Sequence, residues 1–343
     1  MMKKLLNTLY ITSEDAYLSL DGENIEVNFA EEKKKFPLHT LESIICFSYK
    51  GASPALMGKC AENNIQLSFF SPYGKYLAST SDIVNGNVLL RRKQFRVADD
   101  DAQSLNIAKN FIIGKLYNSK YVLLRCARDH SLQVDVNSLK GAADAIQKNM
   151  YEAVNAKSTD ELRGIEGSAA STYFGVFDEM ILQNKKVFRF TSRNRRPPTD
   201  NVNALLSLSY SLLGNDCASA LMSVGLDPYV GFMHSDRPGR TSLALDLMEE
   251  LRPVFADRFI LTLINNRVLD RGDFVRHESG AVQLTDDGRK RFLSEWQKKK
   301  KEELTHPFLE EKITWGMVPY AQAMLLARHL RGDIDQYPPF FWK

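Results

Sequence analysis

The stretch PYVGFMHSDRPGRTSLALDLMEELRP, residues 228–253, decides how the rest of the chain is understood. It sets one histidine, His234, ahead of a segment with helical spacing. At about 100° per residue, Leu243, Ala244, Leu245, Leu247, Met248 and Leu251 fill one arc, and Asp246, Glu249 and Glu250 fall on the opposite side. Thr241 or Ser242 is suited to cap the start, and Pro253 limits the end because proline lacks the N–H a helix interior needs. A histidine and acids converging from a loop and a helix form the donor set of a hard-metal site, suited to Mg²⁺ or Mn²⁺. The ordinary alternative is a structural histidine beside the solvated face of an amphipathic helix.

Working outward, 343 residues hold one large domain or two ordinary ones, and an apolar share of 44% supports a substantial core. Net charge is only +3, so a nucleic-acid surface has to come from local clustering. Cys46, Cys60, Cys126 and Cys217 lack CxxC or CxxH spacing, which favours buried thiols of a reducing compartment over a zinc site. The N-terminus MMKKLLNTLYITSEDAYLSL superficially resembles a signal peptide, but Asn7, Thr8, Ser13, Glu14 and Asp15 break its apolar stretch, so a strand is expected. No apolar run approaches the roughly 18 residues that span a bilayer. A cytoplasmic protein without a membrane partner is the expectation.

Residues 1–85 have the pattern of a small β-rich domain. LYITS, AYLSLDG, NIEVNF, SIICFSY, IQLSFF and KYLAS are rich in β-branched and aromatic residues. Asp21-Gly22 and Tyr73-Gly74-Lys75 mark turns, and SPALMGKCAENN predicts one short helix with Ser53 as cap and Pro54 at its first position. Residues 86–100, around NVLLRRKQFR, are a basic linker on this pattern, and 101–343 is a mostly α-helical domain. Within it, Ser158 and Glu161 have capping-box spacing, the region 257–296 suggests a helix, a hairpin and a helix, and MVPYAQAMLLARHL is amphipathic. The fold class is therefore α+β, a small β-rich N-terminal domain followed by a larger helical one.

A further acid stands out in TDELRGIEGSAASTYFGVF, where Glu166 lies between Gly164 and Gly167. Glycine costs roughly 1 kcal/mol relative to alanine inside a helix, so small residues here suggest close packing against another backbone. Arg91, Arg92, Lys93 and Arg96 form one basic cluster, and Arg189, Arg193, Arg195 and Arg196 form another before Pro197-Pro198. A residue preceding proline disfavours helix, so the second cluster is an extended loop and a candidate phosphate grip. Lys298–Lys301 fits the solvated face of a helix. Tyr173 and Tyr210 lie near these segments without an assignable role.

GIEGSAASTYF, RRPPTDNVNALLSLSYSLL and GFMHSDRPGRTSLALDLMEELRP, in that order, resemble the CRISPR-associated spacer integrase, the first Cas protein. NVLLRRKQFR and the RRPP segment look most like its subtype I-C branch. The resemblance covers nearly the whole chain. It implies a metal-dependent DNA endonuclease and integrase whose β-rich domains join a homodimer and flank a small ferredoxin-like companion protein. Carried over by motif, it implies metal ligation by Glu166, His234 and Glu249, with Asp246 as the accompanying acid and Glu250 left to solvent. Glu249 stands where many relatives have aspartate. Arg91, Arg92, Arg193, Arg195, Arg196 and Arg240 are the corresponding candidates for contact with double-stranded and branched DNA.

Such a site would serve hydrolytic nicking with water as nucleophile and strand transfer with a DNA 3′-OH. His234 has to be neutral to ligate an ion, so activity is expected to fall in mildly acidic buffer. Two other classes share these residues: a structure-selective DNA repair nuclease that uses water alone, and a catalytically silent DNA-binding scaffold.

Overall fold

The computed structural model describes residues 8–29, 32–41, 43–63, 65–71, 76–80 and 88–342. The expected turn at Tyr73-Gly74-Lys75 lies outside them. The chain forms two compact units, Met1–Asn85 with Leu284–Glu302, and Gly86–Gln283 with Glu303–Lys343.

The first unit opens with strands β1 (Thr8–Ile11), β2 (Tyr17–Asp21), β3 (Asn24–Asn28), β4 (Lys33–Pro37) and β5 (Ser43–Cys46). Helix α1 (Pro54–Glu62) and strands β6 (Gln66–Phe70) and β7 (Tyr76–Ser79) follow. Strands β1, β5, β6 and β7 make one sheet in that order, and β2, β3 and β4 make an antiparallel second sheet. Asp21 pairs with Asn24 across a tight turn in which Gly22 has φ 57°, a conformation glycine adopts without a Cβ clash. Leu18, Ile25, Val27, Ile44, Leu56 and Leu67 close the core between these elements. Helix α1 begins as expected, with Ser53 Oγ accepting from Leu56 N–H at 3.2 Å. Strand β4 carries a weak apolar signal, because Lys33, Lys34 and Lys35 are exposed on it while Phe36 packs against the core.

Onward run helices α2 (Val88–Ala98), α3 (Asp101–Asp129), α4 (Val136–Asn155), α5 (Thr159–Gly175), α6 (Asn201–Ser223), α7 (Ser242–Glu249) and α8 (Arg258–Asn265). The hairpin β8 (Phe274–Arg276) and β9 (Val282–Leu284) leads to α9 (Asp286–Lys301), then β10 (Glu303–Thr305), β11 (Lys312–Thr314) and α10 (Val318–Arg331). Helix α9 belongs to the first unit, where the Arg289 guanidinium lies 5.4 Å from the centre of the Phe47 ring and Phe292, Leu293 and Trp296 are buried. Lys300 is buried on it, so the Lys298–Lys301 run is not a uniformly solvated face.

The stretch read as a basic linker is largely helix α2, which buries Leu90, Gln94 and Val97 in the second unit. In that unit α3 packs along α4 and α5, and α6, buried on most sides, packs against α7 and α10. Ser158 caps α5 through its hydroxyl at 3.1 Å from Glu161 N, while Glu161 Oε2 takes the N–H of Lys157 at 2.6 Å instead of closing a box on Ser158.

Candidate active site

Helix α7 lies against α3, α6 and α10, so both its apolar arc and its acids are covered. Asp246, Glu249 and Glu250 are 0%, 3% and 0% exposed, which overturns the expectation of a wet face and of a solvent-facing Glu250. Buried carboxylates require donors or counter-charges, and each of the three has its own set.

Asp246 holds the His234 loop. Its Oδ2 accepts the N–H groups of Phe232 at 2.6 Å and Met233 at 3.0 Å. Its Oδ1 accepts the N–H of His234 at 3.0 Å and the ring Nδ1 at 2.6 Å. A Cβ on Gly231 would lie 2.9 Å from Asp246 Oδ2 and 3.0 Å from His234 O, so only glycine fits this approach. The loop is tied further by Gln94, donating to Asp227 O at 2.8 Å and Val230 O at 2.9 Å, and by Ser104, donating to Phe232 O at 2.9 Å. Thr241 occupies the cap position of α7 without a side-chain hydrogen bond, and Ser242 Oγ donates to Ser235 O at 3.1 Å.

Glu249 stands between two cations and an imidazole. Lys115 Nζ is 2.7 Å from its Oε2, Arg252 3.2 Å from its Oε1, and His234 Nε2 3.9 Å from the same Oε1. Burial alone would raise its pKa, but Arg252 and Lys115 hold the carboxyl well below the usual range. Lys115 also bonds Glu166 Oε1. Burial opposes the ammonium charge, yet Glu249 and Glu166 together keep it above the ordinary lysine value. Glu250 accepts from the Tyr337 hydroxyl, from Gln322 at 2.9 Å and from Phe340 N–H at 2.8 Å, which anchors the C-terminal segment behind α7. Pro253 does not end the helical path; a π-helical turn, Arg252–Asp257, carries it into α8.

The structure thus brings Glu166, His234, Asp246 and Glu249 together from α5, the 228–241 loop and α7. Gly164 and Gly167 do not pack on a neighbouring backbone as expected: an added Cβ would meet nothing within 4 Å at either. Arg163, one turn before Glu166, ties α5 to the loop by donating to Met233 O at 2.7 Å and Ser235 Oγ at 3.1 Å. Among the described residues, no three histidine, cysteine or carboxylate side chains already surround one point. The cation shared by Glu166 and Glu249 is Lys115.

Sequence reasoning missed Lys115, Arg252 and Arg163. A signal existed for Lys115: it interrupts FIIGKLYN on the face that buries Phe111 and Leu116. Of the basic candidates, Arg92, Arg195 and Arg196 are exposed, while Arg91 and Arg240 are half-buried. Arg240 is pulled below the ordinary arginine value by burial and then by Arg237, with Arg195 and Arg163 adding to the positive field. Arg193 is engaged internally, donating to Asn203 Oδ1 at 2.7 Å and lying 5.4 Å from the Tyr210 ring centre. Arg252 covers the same ring at 4.9 Å, and the Tyr210 hydroxyl donates to Asp257 at 2.6 Å.

The sequence pattern of the family described as CRISPR associated protein Cas1 matches residues 9–298. The chain belongs to the Cas1 family of CRISPR-associated proteins. It is 50% identical to a CRISPR-associated endonuclease Cas1 of Rhodospirillum rubrum, with all of both chains covered. A casposase bound to integration product superposes with a TM-score of 0.85 at 25% identity, covering 98% of this chain and 93% of that one. A Cas6-RT-Cas1–Cas2 complex superposes with a TM-score of 0.82 at 22% identity, over 100% of this chain and 37% of that one.

Proposed function

We propose that this Cas1 protein is a DNA endonuclease and integrase of CRISPR adaptation, with Glu166, His234 and Glu249 as ligands of a Mg²⁺ or Mn²⁺ ion. The carrying observation is the convergence of an aspartate-oriented imidazole with two carboxylates from separate helices that already share a cation. These hard oxygen donors and one imidazole suit a divalent ion. Such an ion would neutralise charge on a scissile phosphate and make a bound hydroxyl more acidic.

The chain's own residues supply the rest. Asp246 engages Nδ1 of His234, which leaves Nε2 facing Glu249. Exposed Arg195 and Arg196, with Arg240, give the DNA backbone a positive surface. Water as nucleophile yields a nick; a DNA 3′-OH yields strand transfer. The casposase relative was captured with integration product, which supports the second route. Assembly as a homodimer with a small ferredoxin-like companion, in a prokaryotic cytoplasm, fits the family and the Cas1–Cas2 complex of similar fold. The phrases NVLLRRKQFR and RRPP favour the subtype I-C branch.

The test supplies a 3′-OH duplex and a repeat-bearing plasmid with Mn²⁺. Covalently joined product is expected, and nicking alone would instead indicate a repair nuclease. His234→Ala should abolish Mn²⁺-dependent cleavage while DNA affinity remains; unchanged cleavage would overturn the ligand assignment.

A further inference from the structure

Lys115 reaches from α3 into the space between acids of two other helices. Its Nζ bonds Glu166 Oε1 and lies 2.7 Å from Glu249 Oε2, with the side chain 11% exposed. Arg252 neutralises the other oxygen of Glu249 at 3.2 Å. Two carboxylates and two cations leave this inner group with no net charge. Two acids this close, without an intervening cation, repel strongly at low dielectric.

We propose that Lys115 is an internal competitor for the divalent ion: its ammonium holds Glu166 and Glu249 together before loading, and leaves them when the ion binds. The proposal rests on the ligand assignment above and adds a consequence to it. An ion held by both acids would have to take the place of the charge they now share. A lysine ammonium is a compact charge on a flexible four-carbon stem, so it can swing aside. Once displaced it remains in a crowded site beside Arg252, and an incoming phosphodiester is the anion that can pair with it. The inner group then moves from no net charge to +2, which draws DNA only after the ion is in place. Lys115 thereby couples ion binding to DNA binding, and acts as a positioning residue.

The test measures Mn²⁺ affinity by calorimetry and by electron paramagnetic resonance of free ion, with and without a DNA duplex. Wild type should bind Mn²⁺ more tightly when DNA is present. Lys115→Met should bind Mn²⁺ about tenfold more tightly without DNA, since a buried like charge is gone, and should lose the DNA-dependent gain. Mn²⁺ affinity of Lys115→Met equal to or weaker than wild type would overturn the proposal. A measurement on wild type alone guards against misfolding of the variant: reductive methylation of Lys115, read by mass spectrometry, should quicken on adding Mn²⁺, and an unchanged rate counts against displacement. Glu166→Gln and His234→Ala belong in the same titrations. If they bind Mn²⁺ like wild type, the ligand assignment fails and takes this inference with it; if they lose binding while Lys115→Met does not tighten, only the role of Lys115 fails.

Discussion

Asp246 Oδ1 lies 2.6 Å from Nδ1 of His234, and the same carboxylate receives three backbone N–H groups of the loop that carries the histidine. One fully buried acid therefore sets both the ring orientation and the path of the loop. Asp246→Asn would turn an amide NH₂ toward donors that need an acceptor. We expect Mn²⁺ affinity to fall by about 10–100-fold, the range for loss of a ligand-orienting partner, together with a lower melting temperature. An Mn²⁺ titration beside a thermal melt checks both, and an unchanged affinity would mean that the ring needs no such anchor.

Two glycine substitutions should act in opposite directions. Gly231→Ala puts a Cβ 2.9 Å from Asp246 Oδ2 and from Ser242 Cβ, so the His234 loop has to shift. A loss of about 1–3 kcal/mol in stability is expected from such overpacking, with slower nicking. Gly164→Ala, in the interior of α5 with nothing within 4 Å of the new Cβ, should add up to about 1 kcal/mol of stability. Urea denaturation of the two variants measures both signs.

Much of this was legible in the chain itself. His234, Asp246 and Glu249 stand out because a histidine before an acid-bearing helix is a local pattern, whereas the pairing of Glu166 with them, and the choice of Glu249 over Glu250, come from the family resemblance. What the pattern did not reveal was burial. Asp246, Glu249 and Glu250 fall on the polar arc of α7, and polar arcs normally face water. Here α3, α6 and α10 enclose the helix, and Lys115, Gln322, Arg252 and the backbone of the His234 loop take the place of water around its acids. Lys115 left a trace as a lysine on the buried face of α3, but its partners Glu166 and Glu249 lie in helices far along the chain, so its role could not be read from that trace. Strand β4 escaped because its register against β3 is set by backbone pairing while its first three side chains are lysines. Helix α9 was recognised as a helix but not as part of the β-rich unit, because only tertiary contacts such as Arg289 over Phe47 reveal that membership.

The C-terminal segment is expected to matter for stability well beyond its length. Tyr337 is 1% exposed and gives its hydroxyl to Glu250, whose pKa burial pushes up to about 7 despite three donors. Asn118 adds bonds to Glu250 O and Phe340 O, both 2.7 Å, and Arg125 and Arg258 both lie against Trp342, 4.7 Å and 4.4 Å from its ring centre. Tyr337→Phe removes one donor from a buried acid, a loss of about 1–3 kcal/mol. A melting temperature equal to wild type would show that Glu250 does not depend on that hydroxyl.

Asp257 gives a pH dependence whose sign follows from its environment. Burial raises its pKa from 3.8 to about 6, even though Tyr210 donates to it at 2.6 Å and Arg252 and Arg193 lie near. The folded protein therefore holds this proton more tightly than the unfolded chain. The associated stability is fully present below about pH 4 and is lost as pH rises through about 6. Asp257→Asn keeps an acceptor for the Tyr210 hydroxyl and never ionises. Its stability relative to wild type should rise between about pH 4 and 6 and level off above, by about 2–3 kcal/mol at 1.36 kcal/mol per pKa unit. Chemical denaturation of both proteins across that range, compared as a difference so that other titrations cancel, provides the measurement. A difference that stays constant with pH would place the Asp257 pKa at its ordinary value, with the Tyr210 hydroxyl bound to a carboxyl that titrates like a free one.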